Sequence, residues 1–260
     1  MSKKLLLIGA GNMGSAIIEA AIKNGAVDRQ HCYVIDKDEA KAAELAERLK
    51  VNADNPGDAD IILLAVKPQA LESVFPLMAA SNALLVSVLA GVSTDTLLAH
   101  SGLSQVARVM PNTPALVGAG TSAVYFSADV GASERVFTME LFAACGEVVE
   151  IMREDQMHAI TALSGSGPAY FFYLVELMQK AGIEMGLEEE LAHLLAKNTF
   201  HGASKLMQHT GESAADLRAK VTSPGGTTEA ALEFFADAGL EEMVRNALRT
   251  AEQRSRELGG

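Results

Sequence analysis

The chain has 260 residues, of which 49% are apolar, 21% charged and 5% aromatic. At about 150 residues per domain, this length predicts one large domain or two ordinary ones, and the apolar fraction excludes a disordered chain. The formal net charge of −12 argues against a nucleic-acid partner and against an anionic membrane surface, because the chain has no long-range field that attracts a polyanion.

Cysteine content and apolar run lengths bound the cellular setting. Cys32 and Cys145 lie in apolar surroundings and are expected to be buried thiols in a reducing compartment, although the sequence leaves a disulfide between them open. The longest apolar runs, such as residues 61–66, are far shorter than the roughly 18 residues that a membrane span needs. The first apolar run stops at Gly9, too early for a signal peptide. We therefore expect a cytoplasmic protein with no membrane partner.

The first half of the chain alternates short apolar runs with amphipathic segments. Helices are predicted over residues 12–24 and 38–50, where apolar residues recur at helical spacing. Strands are predicted over residues 5–8, 32–35, 61–66 and 84–89, with weaker candidates at 106–110, 122–126 and 148–151. Continuous apolar strands separated by helices predict an α/β fold whose parallel sheet is covered on both faces.

The pattern changes near residue 155, after which no convincing strand follows. Helices are predicted over residues 168–185, 187–209, 214–221, 229–238 and 240–258. We therefore expect two domains, residues 1–155 and an all-helical domain of residues 156–260. The helix at 168–185 is apolar almost all round and needs more cover than about 100 residues supply, which predicts a homo-oligomer.

A glycine-rich turn follows the first predicted strand and opens the first helix, with Asn12 and Met13 before its last glycine. Gly9 permits a tight turn, Gly11 lets the backbone approach a pyrophosphate, and Gly14 lets helix and strand pack closely. The helix N-terminus offers its N–H groups and the positive end of its dipole to the phosphates. This context favours a Rossmann-type, doubly wound dinucleotide-binding domain over a glycine turn without a ligand.

The end of the second predicted strand bears on the choice of nicotinamide cofactor. Asp36 lies 22 residues after Gly14, near the spacing of an acid that binds the adenosine ribose. Such an acid repels a 2′-phosphate, which favours NAD, whereas Lys37 is able to pair with that phosphate. Lys37 and Asp38 are also typical of solvated charge at a helix start, with Asp38 as the N-cap. The expected cofactor is NAD or NADP, with a modest preference for NAD.

Further candidate cofactor contacts follow the next strands, because ligands of such sheets bind beyond the carboxyl ends of the strands. Small residues after the fourth strand leave room for a flat nicotinamide, while a lysine or asparagine at these ends is equally typical of a solvated or structural turn. The candidates are Ala65, Val66, Lys67 and Pro68, then Ala90 and Gly91, then Asn112. Asn55 is a further candidate, and Asn52 is left open.

Two loops of the second half carry unusual composition. Pro168 is well placed in the first turn of the apolar helix, and Ser166 is a candidate cap. The loop after residue 221 has glycines whose N–H groups could form an anion-binding concavity beside a helix N-terminus. Its candidate binding residues are Ser223, Gly225, Gly226, Thr227 and Thr228. Thr228 precedes the helix predicted from residue 229, which is typical of an N-cap worth about 1 kcal/mol.

Taken together, these motifs resemble the pyrroline-5-carboxylate reductases, over essentially the whole chain. The resemblance is carried by residues 9–14, 65–68, 110–114, 163–170 and above all 221–228. It implies a helical domain that interlocks with a second subunit in an intertwined dimer, and decamers of five dimers. It also implies that Ser223 and the backbone of its loop hold the substrate carboxylate, and that Thr228 is the catalytic residue that hydrogen-bonds the ring nitrogen.

The activity that this resemblance implies is reduction of 1-pyrroline-5-carboxylate, a small molecule, to L-proline, the last step of proline biosynthesis. A protonated imine already carries the charge that accepts hydride, so the enzyme mainly orients its reactants, and no strong base or metal is expected. Glu154 matches an acid near the substrate in some members, but an exposed acid is the favoured interpretation. The family often has Asn, Arg and Ser or Thr where this chain has Asp36, Lys37 and Asp38. The resemblance therefore favours NADPH, whereas the local charge favours NADH.

Two other functions compete with this one. β-Hydroxyacid dehydrogenases share the two-domain plan but place a catalytic lysine near the position of Phe171, and the next lysine here, Lys180, lies far down the helix. A non-catalytic nucleotide sensor would keep the glycine turn without needing the loop at residues 223–228. Binding of L-proline at that loop would distinguish these functions.

Overall fold

The computed structural model describes residues 3–78 and 82–258. Contacts divide the chain into two compact units, one containing residues up to Ser166 together with those from Arg249 onward, the other Gly167–Leu248. The last helix of the chain therefore ends in the first unit, where the buried Ser255 hydroxyl lies 3.0 Å from Nδ1 of His158.

A seven-stranded sheet forms the centre of the first unit in the described residues. Its strands are β1 Leu5–Ile8, β2 Cys32–Ile35, β3 Ile61–Leu64, β4 Leu84–Ser87, β5 Gln105–Met110, β6 Gly120–Phe126 and β7 Gly146–Glu150. The order is β2-β1-β3-β4-β5-β6-β7, and neighbouring strands are parallel except β5 and β6. The turn between those two, Thr113–Val117, is too short for the crossover that a parallel pair needs.

Helices cover both faces of this sheet. They are α1 Asn12–Lys23, α2 Glu39–Leu49, α3 Leu71–Val74, α4 Thr94–Ser101, α5 Ala132–Ala143 and α6 Met157–Ile160. Alternate residues of β1 enter separate cores, Leu5 and Leu7 on the side of Ile17, and Leu6 and Ile8 on the other side. The expected doubly wound α/β fold is confirmed. The strands are continuous apolar runs because, as predicted, helices bury them on both faces.

The predicted elements are all present, with ends that differ by no more than two residues. β3 ends at Leu64 rather than at residue 66, because its partner β1 ends opposite it at Ile8, where the glycine turn begins. Helices α3, α4, α5 and α6 were not predicted, since they are short or bury too few apolar residues to give a periodic pattern.

The second unit is entirely helical in its described residues. Its helices are α7 Gly167–Glu184, α8 Glu189–Thr210, α9 Ala214–Lys220, α10 Thr227–Asp237 and the first part of α11 Leu240–Glu257. Gly182 packs against α8, since a Cβ there would lie 3.3 Å from Cβ of Ala192. In one chain α7 leaves Phe172 63% exposed and Leu174 49% exposed. The unit therefore lacks an apolar core of its own.

The sequence predicted that a separate helix begins at Pro168, but in the structure α7 continues from the helical segment before it. A π-helical turn at Thr161–Gly165 joins α6 to α7. Ser166 lies between this turn and α7 with right-handed helical backbone angles (φ −84°, ψ −19°), and its N–H donates to the Thr161 carbonyl at 2.8 Å. It therefore lacks the extended backbone of an N-cap, contrary to the expectation for Ser166. Pro168 has no N–H for the carbonyl of Ser164, and its ring would clash with that carbonyl in a regular helix. The wider turn removes that clash.

The two cysteines are free and buried. Cys32 begins β2 at one edge of the sheet and Cys145 immediately precedes β7 at the other, so the disulfide that the sequence left open does not form. Burial raises the pKa of the Cys32 thiol to about 12 and that of Cys145 to about 11. In the described ranges, no helix combines the length and the apolar composition that crossing a bilayer requires.

Candidate functional site

The three glycines of the turn after β1 occupy different environments. Gly9 has a φ of +109°, and a Cβ there would lie 2.6 Å from the Ala65 carbonyl oxygen. A Cβ on Gly14 would lie 2.5 Å from the Gly9 carbonyl oxygen. A Cβ on Gly11 would meet nothing within 4 Å. Gly9 and Gly14 are thus required by the fold itself, whereas the space at Gly11 is open on the side where a ligand can approach.

Helix α1 begins at this turn without a side-chain cap. Its first-turn N–H groups have no helical acceptor, which makes the helix N-terminus a site for an anion. Asn12 and Gly11 are exposed there, and Met13 is half-buried. The arrangement offers backbone donors and no acidic side chain in the first turn.

Asp36 joins the end of β2 to the glycine turn. Its Oδ2 accepts a hydrogen bond from the N–H of Ala10 at 2.8 Å, and its Oδ1 accepts one from Asp38 at 2.9 Å. Asp38 caps α2, as expected, by accepting from the Lys41 N–H at 3.4 Å. Lys37 is exposed. A carboxylate with two backbone donors keeps further lone pairs for hydroxyl groups, so Asp36 has the chemistry to bind a ribose.

The ends of β3 and β4 lie at the same edge of the sheet as this turn, because β1, β3 and β4 are parallel neighbours. After β3, Ala65 continues the ladder with an N–H bond to the Ile8 carbonyl at 2.9 Å. Val66 is half-buried, Lys67 is exposed and Pro68 begins a short 3₁₀ turn. After β4, the half-buried Ala90 precedes Gly91, whose φ is +83°. The structure thus brings these sequence-predicted residues to one edge.

Two asparagines of the loop before β3 are engaged within the protein. Asn55 donates from Nδ2 to the Leu77 carbonyl at 3.2 Å and accepts from the Gly57 N–H at 2.9 Å. Asn52 donates to the Gln30 and Cys32 carbonyls and extends the pairing of β2. The side-chain groups of both asparagines hold the loop itself.

Asn112, after β5, connects two parts of the first unit. Its Nδ2 lies 3.4 Å from the Ser164 carbonyl oxygen and 3.3 Å from the Ser164 hydroxyl, and its Oδ1 accepts from Thr121 at 2.9 Å. Pro168, four residues after Ser164, has no N–H to donate to this carbonyl. Asn112 therefore supplies the hydrogen bond that proline removes.

Glu154 is not the exposed acid that the sequence favoured. It accepts a hydrogen bond from Nη1 of Arg108 at 2.8 Å and another from the Thr94 N–H at 2.8 Å, and the Thr94 hydroxyl also donates to it. Burial acts to raise the pKa of Glu154, but the donors on Thr94 and Arg108 outweigh burial and hold the pKa below its usual range. Sequence reasoning missed all three contacts. The available signal was Arg108 itself, a charge among apolar strand residues, which requires a buried partner.

The loop between α9 and α10 corrects a second expectation. Helix α10 begins at Thr227 with Gly226 as its N-cap, so Thr228 is the second helical residue and not a cap. Gly225 has a φ of +70°, and its N–H donates to Oε2 of Glu229 at 2.6 Å. A Cβ on Gly226 would lie 2.8 Å from the Ser223 hydroxyl oxygen. The cap residue itself, a glycine, supplies no side-chain acceptor to the first N–H groups of α10.

Exposure differs among the residues of this loop. Ser223, Gly225 and Thr227 are exposed, whereas Gly226 and Thr228 are half-buried. Within the described part of the chain, the Thr228 hydroxyl has no hydrogen-bond partner. The same described ranges contain no group of three or more His, Cys, Asp or Glu residues arranged to hold a metal ion.

Comparison with known proteins identifies the family. Residues 154–258 match the family described as "Pyrroline-5-carboxylate reductase dimerisation", and residues 4–91 match "NADP oxidoreductase coenzyme F420-dependent". Pyrroline-5-carboxylate reductase from Haemophilus influenzae is 40% identical over 98% of this chain and 97% of its own length.

Solved structures of pyrroline-5-carboxylate reductases are also similar. The Coxiella burnetii enzyme is 33% identical with a TM-score of 0.90, covering 100% of both chains. The Plasmodium falciparum enzyme, solved with NADP bound, is 27% identical with a TM-score of 0.84, covering 99% of this chain and 98% of its own. Sequence and fold agree from the glycine turn to the last helix, and the chain belongs to the pyrroline-5-carboxylate reductase family.

Proposed function

We propose that this protein reduces 1-pyrroline-5-carboxylate to L-proline with NADH or NADPH, the last step of proline biosynthesis. The observation that carries the proposal is the similarity to pyrroline-5-carboxylate reductases over 98% of the chain, which includes both candidate sites. The two sites have complementary chemistry. The first unit offers a turn open to a pyrophosphate, and the second offers a glycine-rich helix N-terminus suited to a carboxylate.

The first unit fits a nicotinamide dinucleotide. Gly11 and the uncapped start of α1 would take the pyrophosphate, with Asn12 and Met13 beside it, and Asp36 the ribose hydroxyls. The glycine turn, the loop before β3 and the strand ends would complete the site. The residues are Gly9, Gly14, Asn55, Lys37, Ala65, Val66, Lys67, Pro68, Ala90, Gly91 and Asn112. When bound, the reduced nicotinamide supplies the hydride.

The second unit carries the groups proposed for the substrate. The Ser223 hydroxyl and the N–H groups of Gly225, Gly226 and Thr227 would bind the substrate carboxylate. This requires that Glu229 release the Gly225 N–H and that the Ser223 carbonyl release or share the Gly226 N–H. The Thr228 hydroxyl would donate to or accept from the ring nitrogen as it becomes an amine. Because the protonated imine is already electrophilic, these residues act by orienting the ring and holding a proton at the nitrogen.

Domain roles and assembly follow from the same proposal. Residues 1–155 would bind the dinucleotide, and residues 156–260 would bind the substrate and form an intertwined dimer, five of which would build a decamer. The exposed apolar face of α7 supports burial between subunits, because a stable monomer rarely leaves so many aromatic side chains in water. The two buried, free thiols support a cytoplasmic location.

The two competing functions have weaker support. At the position where a β-hydroxyacid dehydrogenase needs its lysine, Phe171 lies 5.5 Å from Phe200, ring centroid to ring centroid. A phenylalanine cannot act as the base that alcohol oxidation needs. A nucleotide sensor has no use for the uncapped α10 N-terminus beside Ser223.

The test is consumption of NADH and of NADPH by the purified protein with pyrroline-5-carboxylate, compared with simple ketoacids. We expect oxidation of the cofactor with the cyclic imine only, and one L-proline formed for each cofactor consumed. Cofactor consumption with ketoacids at a comparable rate, or none with the imine, would overturn the proposal.

A further inference from the structure

A buried ion pair lies beyond the residues assigned to either ligand. Arg108 is on β5 and only 3% exposed, and its Nη1 donates to Oε1 of Glu154 at 2.8 Å. The Glu154 side chain is 21% exposed. Charges in such surroundings are retained only when they are paired and hydrogen-bonded. The pair joins the fifth strand to the segment that leaves β7.

The same carboxylate holds the start of α4. Besides the Arg108 bond, Glu154 accepts from both the backbone N–H and the hydroxyl of Thr94, the first residue of that helix. Ser93 is the local N-cap and accepts from Thr96 at 3.1 Å. Helix α4 thus has two acceptors at its N-terminus, its own serine and a carboxylate from a residue 60 positions later in the chain.

The segment in front of α4 contains the small residues at the end of β4. Ala90 and Gly91 lie three to four residues before Thr94, and Val92 between them and the helix is buried. The upstream end of this segment is fixed by the ladder, where Val88 donates to the Leu64 carbonyl at 3.1 Å. Its downstream end is fixed by Glu154. The backbone path through Gly91 therefore depends on both anchors.

We infer that Glu154, held by Arg108, is a positioning residue that sets the nicotinamide part of the dinucleotide site through Thr94 and the 90–93 segment. This inference rests on the proposed function, in which Ala90 and Gly91 face the nicotinamide. It separates the site into two halves. The glycine turn and Asp36 would bind the adenosine and pyrophosphate without help from Glu154, whereas the nicotinamide half would require it.

The experiment compares two ligands that differ in the nicotinamide. ADP-ribose contains the adenosine, pyrophosphate and second ribose, and NADH adds only the reduced ring; for NADPH the matched ligand is ADP-ribose 2′-phosphate. Glu154→Gln replaces an acceptor oxygen by an NH₂ group that faces donors on Thr94 and Arg108. We expect ADP-ribose to bind within about twofold of wild type, while the Kd of the reduced dinucleotide rises and kcat falls, each by about tenfold, because a displaced ring loses its reactive alignment.

Two further variants make the result decisive. Glu150→Gln breaks a pair with Arg135 whose side chains are each 34% exposed and should change neither ligand's affinity. Thr94→Val keeps the ion pair and the shape of the side chain but removes one donor to Glu154. Thr94→Val should raise the Kd of the reduced dinucleotide and lower kcat by smaller factors, with the affinity for ADP-ribose unchanged. If Glu154→Gln does not fold, the test rests on this variant.

The outcomes separate this inference from the proposed function. Wild-type affinity for the reduced dinucleotide together with wild-type kcat in both variants would reduce Glu154 to a structural residue and overturn the inference. Equal losses for ADP-ribose and the reduced dinucleotide would overturn it as well, since the whole site would then depend on the pair. Failure of the wild-type protein to bind either ligand would remove the proposed function, and the inference with it.

Discussion

Thr228 offers the sharpest test of the proposed substrate site, because its hydroxyl has no hydrogen-bond partner within the described structure. Thr228→Ala therefore removes no intramolecular hydrogen bond, and alanine is a slightly better helix former than threonine. The free energy of unfolding should change by no more than about 0.5 kcal/mol. An N-cap at this position would instead have predicted a loss of about 1 kcal/mol.

Catalysis should respond differently. A hydrogen bond to a charged group contributes about 1.5–3 kcal/mol, and each 1.4 kcal/mol is a factor of ten, so kcat/KM should fall by about tenfold to a hundredfold. The assay is steady-state reduction of pyrroline-5-carboxylate measured beside a denaturant unfolding curve for the same preparation. Thr228→Ser keeps the hydroxyl and should retain most of the activity.

A true cap in the same unit provides the contrasting control. Ser213 caps α9 and accepts from the Asp216 N–H at 3.1 Å, so Ser213→Ala should lose about 1 kcal/mol of stability with kinetics unchanged. If Thr228→Ala leaves kcat/KM within about twofold of wild type, its proposed catalytic role is refuted. Substrate binding would then rest on Ser223 and on the N–H groups of Gly225 and Gly226.

Further outcomes are expected at other positions. Leu174→Glu should dissociate or unfold the oligomer, because it would bury a charge between subunits, whereas Glu176→Gln on the same helix should not; a folded Leu174→Glu protein of wild-type size by light scattering would contradict this. Asp36→Asn should raise the NADPH:NADH ratio of kcat/KM, and an unchanged ratio would mean that Asp36 does not face the ribose. The depressed pKa of Glu154 means that its carboxylate stabilises the fold above its unfolded pKa, about 4.3, and that this contribution is lost as pH falls through the folded value. The stability gap between wild type and Glu154→Gln should therefore narrow below about pH 4, and a gap that stays constant in acid would be inconsistent with this linkage.

Most of the fold was accessible from the sequence because the determining interactions are local or periodic. Strands such as β1 and β3 are buried on both faces, so each is a continuous apolar run that is easy to recognise in the sequence. The glycine turn was recognisable because Gly9 and Gly14 are sterically required a few residues apart. The reversal of β6 was not accessible, since it depends on the shortness of a turn whose ends the sequence left undefined.

The candidate sites were less predictable where contacts join distant parts of the chain. Glu154 resembles any surface acid until Arg108 and Thr94 are placed beside it, and nothing in its neighbouring residues indicates that approach. The start of α10 was set two residues late because threonine is a common cap, whereas here an extended Gly226 takes that place. Pro168 is visible in the sequence, and a proline near a helix start predicts a locally altered turn. The hydrogen bond to the Ser164 carbonyl was not predictable, because its donor, Asn112, is 52 residues away in the chain.

The return of the last helix to the first unit has a consequence for biosynthesis on the ribosome. Residues up to Ser166 are translated first, but Ser255, which meets His158, belongs to the segment from Arg249 onward. At about 5–20 residues per second, translating the intervening Gly167–Leu248 takes roughly 4–16 s. During that interval the nascent dinucleotide unit has its sheet but not its closing helix. Its final packing therefore waits for the synthesis of α11, and the apolar helices that the proposed dimer would bury are made during the same interval.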